Sequence, residues 1–207
     1  MFLNEIMNIQ ERILEGAATL FKTYGIKSVT MDQLASHLGI SKRTIYENFT
    51  DKDELLAGVL KMMAEKQKSL TKRIIDESEN VIVAIFRILE ISRNHLQDIS
   101  PAFFADIKKY HNDFLYKNSG KCEMPDYRNN LQVVIKGIED NLFRKDINPD
   151  LVNRCLYSLG KSTMDSDLYP LEQFTMRDIV KNVYISYLRG ISTPEGIDLI
   201  NRLEANF

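Results

Sequence analysis

The sequence predicts an all-α protein: a three-helix, helix-turn-helix domain joined by a long helix to a C-terminal helical bundle, with about nine or ten helices in total. Apolar residues recur at steps of three and four along most of the 207 residues, which is the period of amphipathic helices. The sequence contains no alternating strand pattern and no internal repeat. Closely spaced capping signals between residues 25 and 55 also indicate that the first helices are short.

The first predicted helix carries one apolar stripe and ends at a glycine. The stripe residues are Ile6, Ile9, Ile13, Leu14, Ala17, Leu20 and Phe21. Gly25 follows the stripe, and glycine is the residue that most readily ends a helix. We therefore expect this helix to bury one face and to end at Gly25.

A second helix of two turns is predicted after Thr30. Thr30 and Gln33 form the capping-box pattern, in which two side chains satisfy each other's backbone amides. Gly39 ends the helix after Leu38, because glycine tolerates a positive φ. Ala35 is small enough for another helix to cross close to it. These spacings predict a helix-turn-helix over roughly residues 30–49.

The third predicted helix begins after Ser41 and runs to about Asn48. Residues 51–54 then cap a long fourth helix, which extends to about residue 75. The outward residues of the third helix can all donate hydrogen bonds, and two are cationic: Lys42, Arg43, Thr44, Tyr46 and Asn48. A recognition helix enters the major groove with its N-terminus first, so donors concentrated in its first turn favour DNA binding.

Further contacts to the DNA backbone are predicted beside this helix. Thr30 and Ser41 lie at helix N-termini, where backbone amides and a hydroxyl bind phosphate. Lys52 starts the fourth helix and is placed to bind another phosphate. The net charge is only −2, so the prediction depends on local donors rather than on a basic field. The steric pattern alone is equally compatible with an all-α protein that binds no DNA.

Helical periodicity continues through the rest of the chain. Pro101, Pro149 and Pro194 each stand where a first helical turn can begin. The sequence predicts a DNA-binding domain over 1–50, a connecting helix over 51–77, and a C-terminal ligand-binding and dimerisation domain over 78–207. The later helices are predicted over about 80–98, 101–117, 125–144, 149–165, 171–190 and 194–204.

The stretch from Ile9 to Leu60 resembles the TetR family of bacterial regulators. Residues 18–25 match the segment with which the first helix of that family ends, and a threonine then opens the second helix. Residues 39–49 match the family's Gly-Ile-Ser-Lys-x-Thr-Ile-Tyr-x-x-Phe run, and residues 52–55 match Lys-x-Glu-Leu. One departure is Asn48, where the family often has histidine or tyrosine. From about residue 78 the chain shows no such specific match.

The resemblance implies a homodimeric regulator, most often a repressor, that binds a palindromic operator. It also implies that the C-terminal bundle holds a small-molecule pocket and the dimer interface. In the family, the residues that correspond to Thr30, Ser41, Thr44, Tyr46, Asn48 and Lys52 mostly contact the DNA backbone. Arg43 lies among positions that vary in the family and is better placed to read bases.

Two groups of residues are candidates for the pocket and the dimer interface. The aromatic-rich helical stripes predict an effector pocket lined by Phe86, Phe103, Phe104, Ile107, Tyr110, Phe114, Tyr127, Leu131 and Val134. The last two long helices predict a dimer interface with Leu151, Cys155, Leu159, Ile179, Val183, Tyr184 and Tyr187. For any single residue of the first group, a plain bundle core is the more economical explanation.

Other functions find little support in the sequence. The two cysteines and three histidines form no metal-ligand pattern, so we expect no metal and no cofactor. No signal peptide or membrane-spanning segment is predicted, and we expect a cytoplasmic protein. An enzyme is a rival interpretation, but no nucleophile–base pair or phosphate-binding glycine loop supports it. An adaptor that binds proteins through the same helices is another, which salt-dependent retention by duplex DNA would separate from DNA binding.

Overall fold

Helices account for most of the part of the chain that the structure describes. The computed structural model describes residues 8–97, 99–110, 127–162, 168–170 and 173–205. In chain order the helices are α1 (Ile9–Tyr24), α2 (Met31–Leu38), α3 (Lys42–Tyr46), α4 (Lys52–Glu77), α5 (Val81–Gln97), α6 (Pro101–Tyr110), α7 (Tyr127–Glu139), α8 (Pro149–Ser162), α9 (Met176–Ile179, the π-helical Val180–Ile185 and Ser186–Ile191) and α10 (Pro194–Glu204). The predicted all-α class is confirmed, and each of the three prolines named above begins its helix.

The chain folds as two compact units, which differ from the predicted domains. Among the described residues, the first unit contains 8–69, 95–97 and 99–110, and the second contains the remainder. The segment 95–110 was predicted to belong to the C-terminal domain. It joins the first unit because Phe103 is buried in that unit's core and because the Ser100 amide donates to the Lys22 carbonyl at 2.8 Å.

The core of the first unit collects apolar residues from α1 to α4 and from α6. Ile13 and Phe21 of α1, Leu34 of α2, Ile45 of α3 and Leu55 of α4 are each at most 1% exposed. Most of the apolar stripe predicted for α1 thus supplies one wall of this core, whereas Ile9 is 36% exposed and Ile6 lies outside the described residues. Burial of side chains this large holds the short helices α2 and α3, which are below the length at which isolated helices are stable.

The core of the second unit depends on a close approach between two turns. The Arg144 amide donates to the Ile191 carbonyl at 2.9 Å, and the Thr193 amide donates to the Leu142 carbonyl at 3.0 Å. A Cβ atom on Gly196 would lie 2.3 Å from that Leu142 oxygen. Only glycine therefore permits α10 to begin at this distance from residue 142.

Two helix boundaries in the second unit correct the sequence prediction. The helix predicted over 125–144 ends at Glu139, because Asn141 adopts a φ of 56° and the chain turns back. The helix predicted over 171–190 begins only at Met176, where Thr175 caps it by accepting a hydrogen bond from the Asp178 amide. Residues 111–126, and with them the end of the helix predicted over 101–117, lie outside the described residues.

Candidate DNA-binding interface

The turn between α2 and α3 has the geometry that the sequence predicts. The Thr30 hydroxyl accepts a hydrogen bond from the Gln33 amide at 3.2 Å, and the Gln33 side chain accepts one from the Thr30 amide at 2.7 Å. Gly39 lies in the left-handed region, with φ 64° and ψ 33°. The predicted capping box and glycine turn are therefore both confirmed, and they fix where α3 starts.

The helix α3 is short and closely held by its own polar side chains. The Ser41 Oγ atom accepts a hydrogen bond from the Thr44 amide at 3.0 Å, and the two hydroxyls lie 2.8 Å apart. The Asn48 side-chain amide donates to the Thr44 carbonyl at 2.8 Å. The helix ends at Tyr46 rather than near Asn48, because the chain turns there to bury Phe49.

The two cations of α3 are exposed, and each is paired with a nearby carboxylate. Lys42 Nζ lies 2.8 Å from Asp32 Oδ2, and this hydrogen bond raises the pKa of Lys42 above its usual value. Arg43 Nε lies 3.0 Å from Glu47 Oε1, and the Arg43 side chain is 87% exposed. Both cations are thus available at the surface, and solvent-exposed pairs of this kind are weak enough for a phosphate or a base to replace them.

Two further acidic residues of this segment, Asp51 and Glu54, have structural roles at the start of α4. Asp51 Oδ1 accepts a hydrogen bond from the Glu54 amide at 2.8 Å. Glu54 Oε2 accepts from the amide and the hydroxyl of Thr50, which lowers the pKa of the Glu54 carboxyl. The acids that outnumber the bases in residues 30–55 are therefore largely engaged in capping and pairing, and the predicted cap of α4 is confirmed.

The predicted contact residues lie in the first unit and all keep some exposure. Thr30, Ser41, Lys42, Arg43 and Tyr46 are exposed, while Thr44, Asn48 and Lys52 are half-buried. The Lys52 amine donates to the carbonyl oxygen of Val29.

The sequence interpretation missed the partners of the cations. Asp32 and Glu47 lie beside the two residues predicted to bind DNA, yet they received no role. The pair of Arg43 with Glu47 follows from the four-residue spacing along a helix. The pair of Lys42 with Asp32 joins α3 to α2 across the glycine turn, so only the folded turn reveals it.

The residues predicted to line an effector pocket do not share one core. Phe103 is buried in the core of the first unit, with Ile107 packed against it, whereas Phe86 and Val134 are buried in the core of the second. Phe104 is 37% exposed and meets the Phe103 ring edge to face, with centroids 5.8 Å apart. The helical stripes carry these residues to different cores, and the predicted pocket stays a prediction.

Three members of that predicted group remain without a structural account, and one is half-buried. Phe114 lies outside the described residues, and so do the side chains of Tyr110 and Tyr127, although their helices are described. Leu131 is half-buried on α7.

A cavity of about 400 Å³ occurs elsewhere, in the first unit, lined by Leu20, Tyr24, Ser28, Val29 and Gln33.

The predicted dimer residues differ widely in how much surface they offer. Ile179 is only 3% exposed within the single chain, so it has almost no surface left for a partner, which corrects that assignment. Leu151 is 64% exposed. The others are half-buried: Cys155, Leu159, Val183, Tyr184 and Tyr187.

Two tyrosines of this group lie against Cys155. Burial, with a smaller effect of Cys155, raises the pKa of Tyr184 to about 12. Burial and a hydrogen bond with the Cys155 side chain also raise the pKa of Tyr187. Both phenols therefore stay protonated through the ordinary pH range.

Metal ligation and membrane insertion find no support in the described part of the chain. There, no three histidine, cysteine or acidic side chains come together in a way that could hold a metal ion. None of the helices described is both long enough and apolar enough to cross a membrane.

Comparison with known proteins gives consistent matches. The family described as bacterial regulatory proteins, tetR family, matches residues 13–59. The chain is 27% identical to the uncharacterized HTH-type transcriptional regulator YvaF of Bacillus subtilis, over 92% of this chain and 99% of that protein. It is 26% identical to the HTH-type transcriptional repressor KstR2 of Mycobacterium tuberculosis, over 69% of this chain and 72% of that protein.

A solved structure shows that the similarity extends beyond the matched segment. The crystal structure of a transcriptional regulator from Cytophaga hutchinsonii aligns with a TM-score of 0.69 and 21% identity. The alignment covers 88% of this chain and 98% of that one, so the two proteins share one fold.

Proposed function

The chain belongs to the TetR family of bacterial regulatory proteins and is a DNA-binding transcriptional regulator, and from that premise we propose that it is a homodimeric repressor of a palindromic operator. One observation carries the proposal: the helix α3 presents two exposed cations immediately after a Ser41-capped N-terminus. Donors at that end of a helix are suited to the major groove. The relative KstR2, which is named a repressor, supports the direction of regulation.

The proposed interface divides into residues that position the protein and residues that read sequence. The hydroxyls of Thr30 and Ser41 lie at the N-termini of α2 and α3, where they suit phosphate contacts. Lys42 adds a charge to the same end of α3. Arg43 has the most exposed cationic side chain of this helix and a guanidinium that can bind guanine with two hydrogen bonds. Thr44, Tyr46, Asn48 and Lys52 complete the proposed contact set.

The proposal also includes a small-molecule effector that binds the second unit and releases the protein from DNA. The family resemblance supports this part, and the effector's identity is open. Release requires the effector to bind more tightly to a state with lower DNA affinity. The dimer would present two copies of α3 to half-sites about one helical turn apart, or a multiple of that distance.

In vitro selection from random duplexes tests the proposal. The wild-type protein should enrich a palindromic sequence, and its affinity should fall as salt is raised. Arg43→Ala should change the enriched sequence, whereas the control Lys61→Ala, which removes an exposed cation of α4, should leave it unchanged. A monomeric mass in sedimentation, or enrichment of no sequence together with no salt-sensitive retention on DNA, would contradict the proposal.

A further inference from the structure

The carboxylate of Glu47 accompanies the exposed guanidinium of Arg43 on one face of α3. Glu47 Oε1 lies 3.0 Å from Arg43 Nε, and the Glu47 side chain is 57% exposed. The two residues are four positions apart, so their side chains leave the helix on the same face. The residue that the proposed function assigns to base recognition therefore enters the major groove with an acid beside it.

The backbone holds these two residues in a fixed relation. The Glu47 amide donates to the Arg43 carbonyl at 2.9 Å, which closes the last turn of α3. Ile45 and Phe49, two positions before and after Glu47, are at most 4% exposed, and the Phe49 amide donates to the Ile45 carbonyl at 2.9 Å. Both side chains therefore extend from backbone that is anchored to the core of the first unit, and a bond between their ends restricts where the guanidinium lies.

Glu47 has no part in capping, unlike two acids that follow it in the chain. Asp51 and Glu54 bond backbone amides at the start of α4. Within the described residues, the only hydrogen bond of the Glu47 side chain is the one that it accepts from Arg43. An exposed pair at this spacing contributes little to helix stability, and a negative charge on this face repels DNA phosphates. The effect of the carboxylate therefore falls on Arg43 and on DNA rather than on the fold.

The bond from Nε decides which donors of the guanidinium remain for a base. Nε carries a single N–H, and Arg43 uses it on Glu47. The four N–H donors of Nη1 and Nη2 make no hydrogen bond with any residue that the structure describes. These two nitrogens form the outer edge of a planar fork, which matches the O6 and N7 acceptors of guanine. The pair with Glu47 therefore leaves the guanine-binding edge of Arg43 open.

The same pair makes a phosphate a poor partner for Arg43. A guanidinium that turned to the DNA backbone would either leave Glu47 or bring the carboxylate towards a second anion. Guanine has no formal charge, so it can bind the outer edge while Glu47 keeps Nε. The pair is weak at the free surface, but exclusion of water from the groove strengthens it when DNA is bound. Base recognition and the ion pair are thus compatible, whereas phosphate binding and the ion pair oppose each other.

We propose that Glu47 is a positioning residue that determines sequence specificity: it holds Nε of Arg43, so that the outer edge of the guanidinium reads guanine and does not bind phosphate. The inference rests on the proposed DNA-binding function and deepens it. Glu47 lowers the affinity for DNA in general and raises the preference for guanine at the base pair that Arg43 contacts.

Two substitutions separate the reach of Glu47 from its charge. Glu47→Gln keeps an oxygen at the same distance from the backbone and removes the charge, whereas Glu47→Asp keeps the charge on a side chain that is one methylene shorter. In vitro selection with the wild type and with Arg43→Ala first identifies the base pair that Arg43 reads. Affinities are then measured for duplexes that carry each of the four base pairs at this position and for the unselected random pool.

The two variants should change different quantities. Glu47→Asp should lose about fivefold of the preference for guanine, the typical effect of one hydrogen bond, and should bind the pool as the wild type does. Glu47→Gln should keep most of that preference, and its affinity for the pool should rise about two- to fivefold at low salt. Glu65→Gln and Glu65→Asp, at an exposed position of α4, should change neither quantity.

The measurements are made at a temperature where circular dichroism shows every variant to be folded. A purely structural role for Glu47 would change the affinity for all duplexes by the same factor and would leave the preference for guanine intact. The reverse pattern, with the preference lost in Glu47→Gln and kept in Glu47→Asp, would show that charge and not reach matters, which would overturn the proposal.

A double-mutant cycle shows whether Glu47 acts through Arg43. In an Arg43→Ala background, Glu47→Asp should no longer change the base preference at this position, because the group that Glu47 holds is absent. Equal losses of preference with and without Arg43 would mean that Glu47 contacts a base itself, and the positioning role would then be wrong.

Failure of the inference is distinguishable from failure of the proposed function. If the wild-type protein enriches no sequence and is not retained by duplex DNA, the proposed function fails, and the inference fails with it. If the wild type reads guanine through Arg43 and Glu47→Asp keeps the full preference, the inference alone is overturned. An Arg43→Ala variant that enriches the same sequence as the wild type also overturns it, while DNA binding by the protein stands.

Discussion

The helix-turn-helix and the Leu142–Gly196 contact of the second unit are both held by hydrogen bonds from backbone amides, but the bonded partners lie at very different distances along the chain. The caps at Thr30, Ser41 and Asp51 each bond a residue three positions away. The Thr193 amide and the Leu142 carbonyl are brought together from 51 positions apart. Local caps can be read from spacing, whereas the distant contact exists only once the unit has folded.

The largest expected effect tests the distant contact. Gly196→Ala should lower the free energy of unfolding of the second unit by about 2–3 kcal/mol, because the new methyl group would lie 2.3 Å from the Leu142 oxygen. The exchange rate of the Thr193 amide, which donates to that oxygen, measures the loss directly.

The control for this substitution is Gly160→Ala on α8. A Cβ atom at Gly160 meets nothing within 4 Å, so alanine there should be neutral or should stabilise α8 by up to about 1 kcal/mol through its higher helix propensity. The comparison fails if the two alanines have the same effect, since helix propensity alone would then explain both.

This difference also explains which features the sequence predicts correctly. The Thr30–Gln33 capping box, the Gly39 turn and the proline-started helices follow from signals within four residues, and the structure confirms them. The end of α7 was placed five residues too far along, at 144 instead of 139, because the turn at Asn141 depends on docking against residues 191–193.

The same distinction between local and distant signals applies to the candidate site. The donors of α3 were found because they follow one another in sequence. The hydrogen bond from the Lys52 amine to the Val29 carbonyl was not predicted, because Val29 precedes Lys52 by more than twenty residues. The aromatic stripes were assigned to one pocket because periodicity shows which face of a helix is apolar but not which core that face enters.

An intermediate effect concerns the tyrosine that packs against Cys155. The pKa of Tyr184 is raised from 10.0 to about 12, so the unfolded chain loses its proton first as the pH rises. The wild-type second unit should therefore lose stability between pH 10 and about pH 12, by about 2 kcal/mol from this group. Below pH 10 this group should make no pH-dependent contribution.

The matched variant is Tyr184→Phe, which keeps the ring and removes the proton. Urea unfolding of both proteins across this pH range should show a smaller alkaline loss in the variant. Parallel curves for the two proteins would mean that Tyr184 ionises as easily in the folded unit as in the unfolded chain, and that its packing against Cys155 is looser than the structure indicates.

The smallest expected effect concerns the ion pair between Lys42 and Asp32 at the start of α3, and it tests the helix-turn-helix half of the comparison. Asp32→Asn should strengthen DNA binding by about two- to fivefold, because it frees Lys42 and removes a negative charge that would approach the phosphates. The gain should shrink as salt rises, since both charges are exposed. The control Asp198→Asn changes an exposed acid of the second unit and should leave affinity unaltered. If Asp32→Asn instead weakens binding, then the carboxylate orients Lys42 for its phosphate, and the local pair is part of the recognition geometry in the same way as the caps on either side of it.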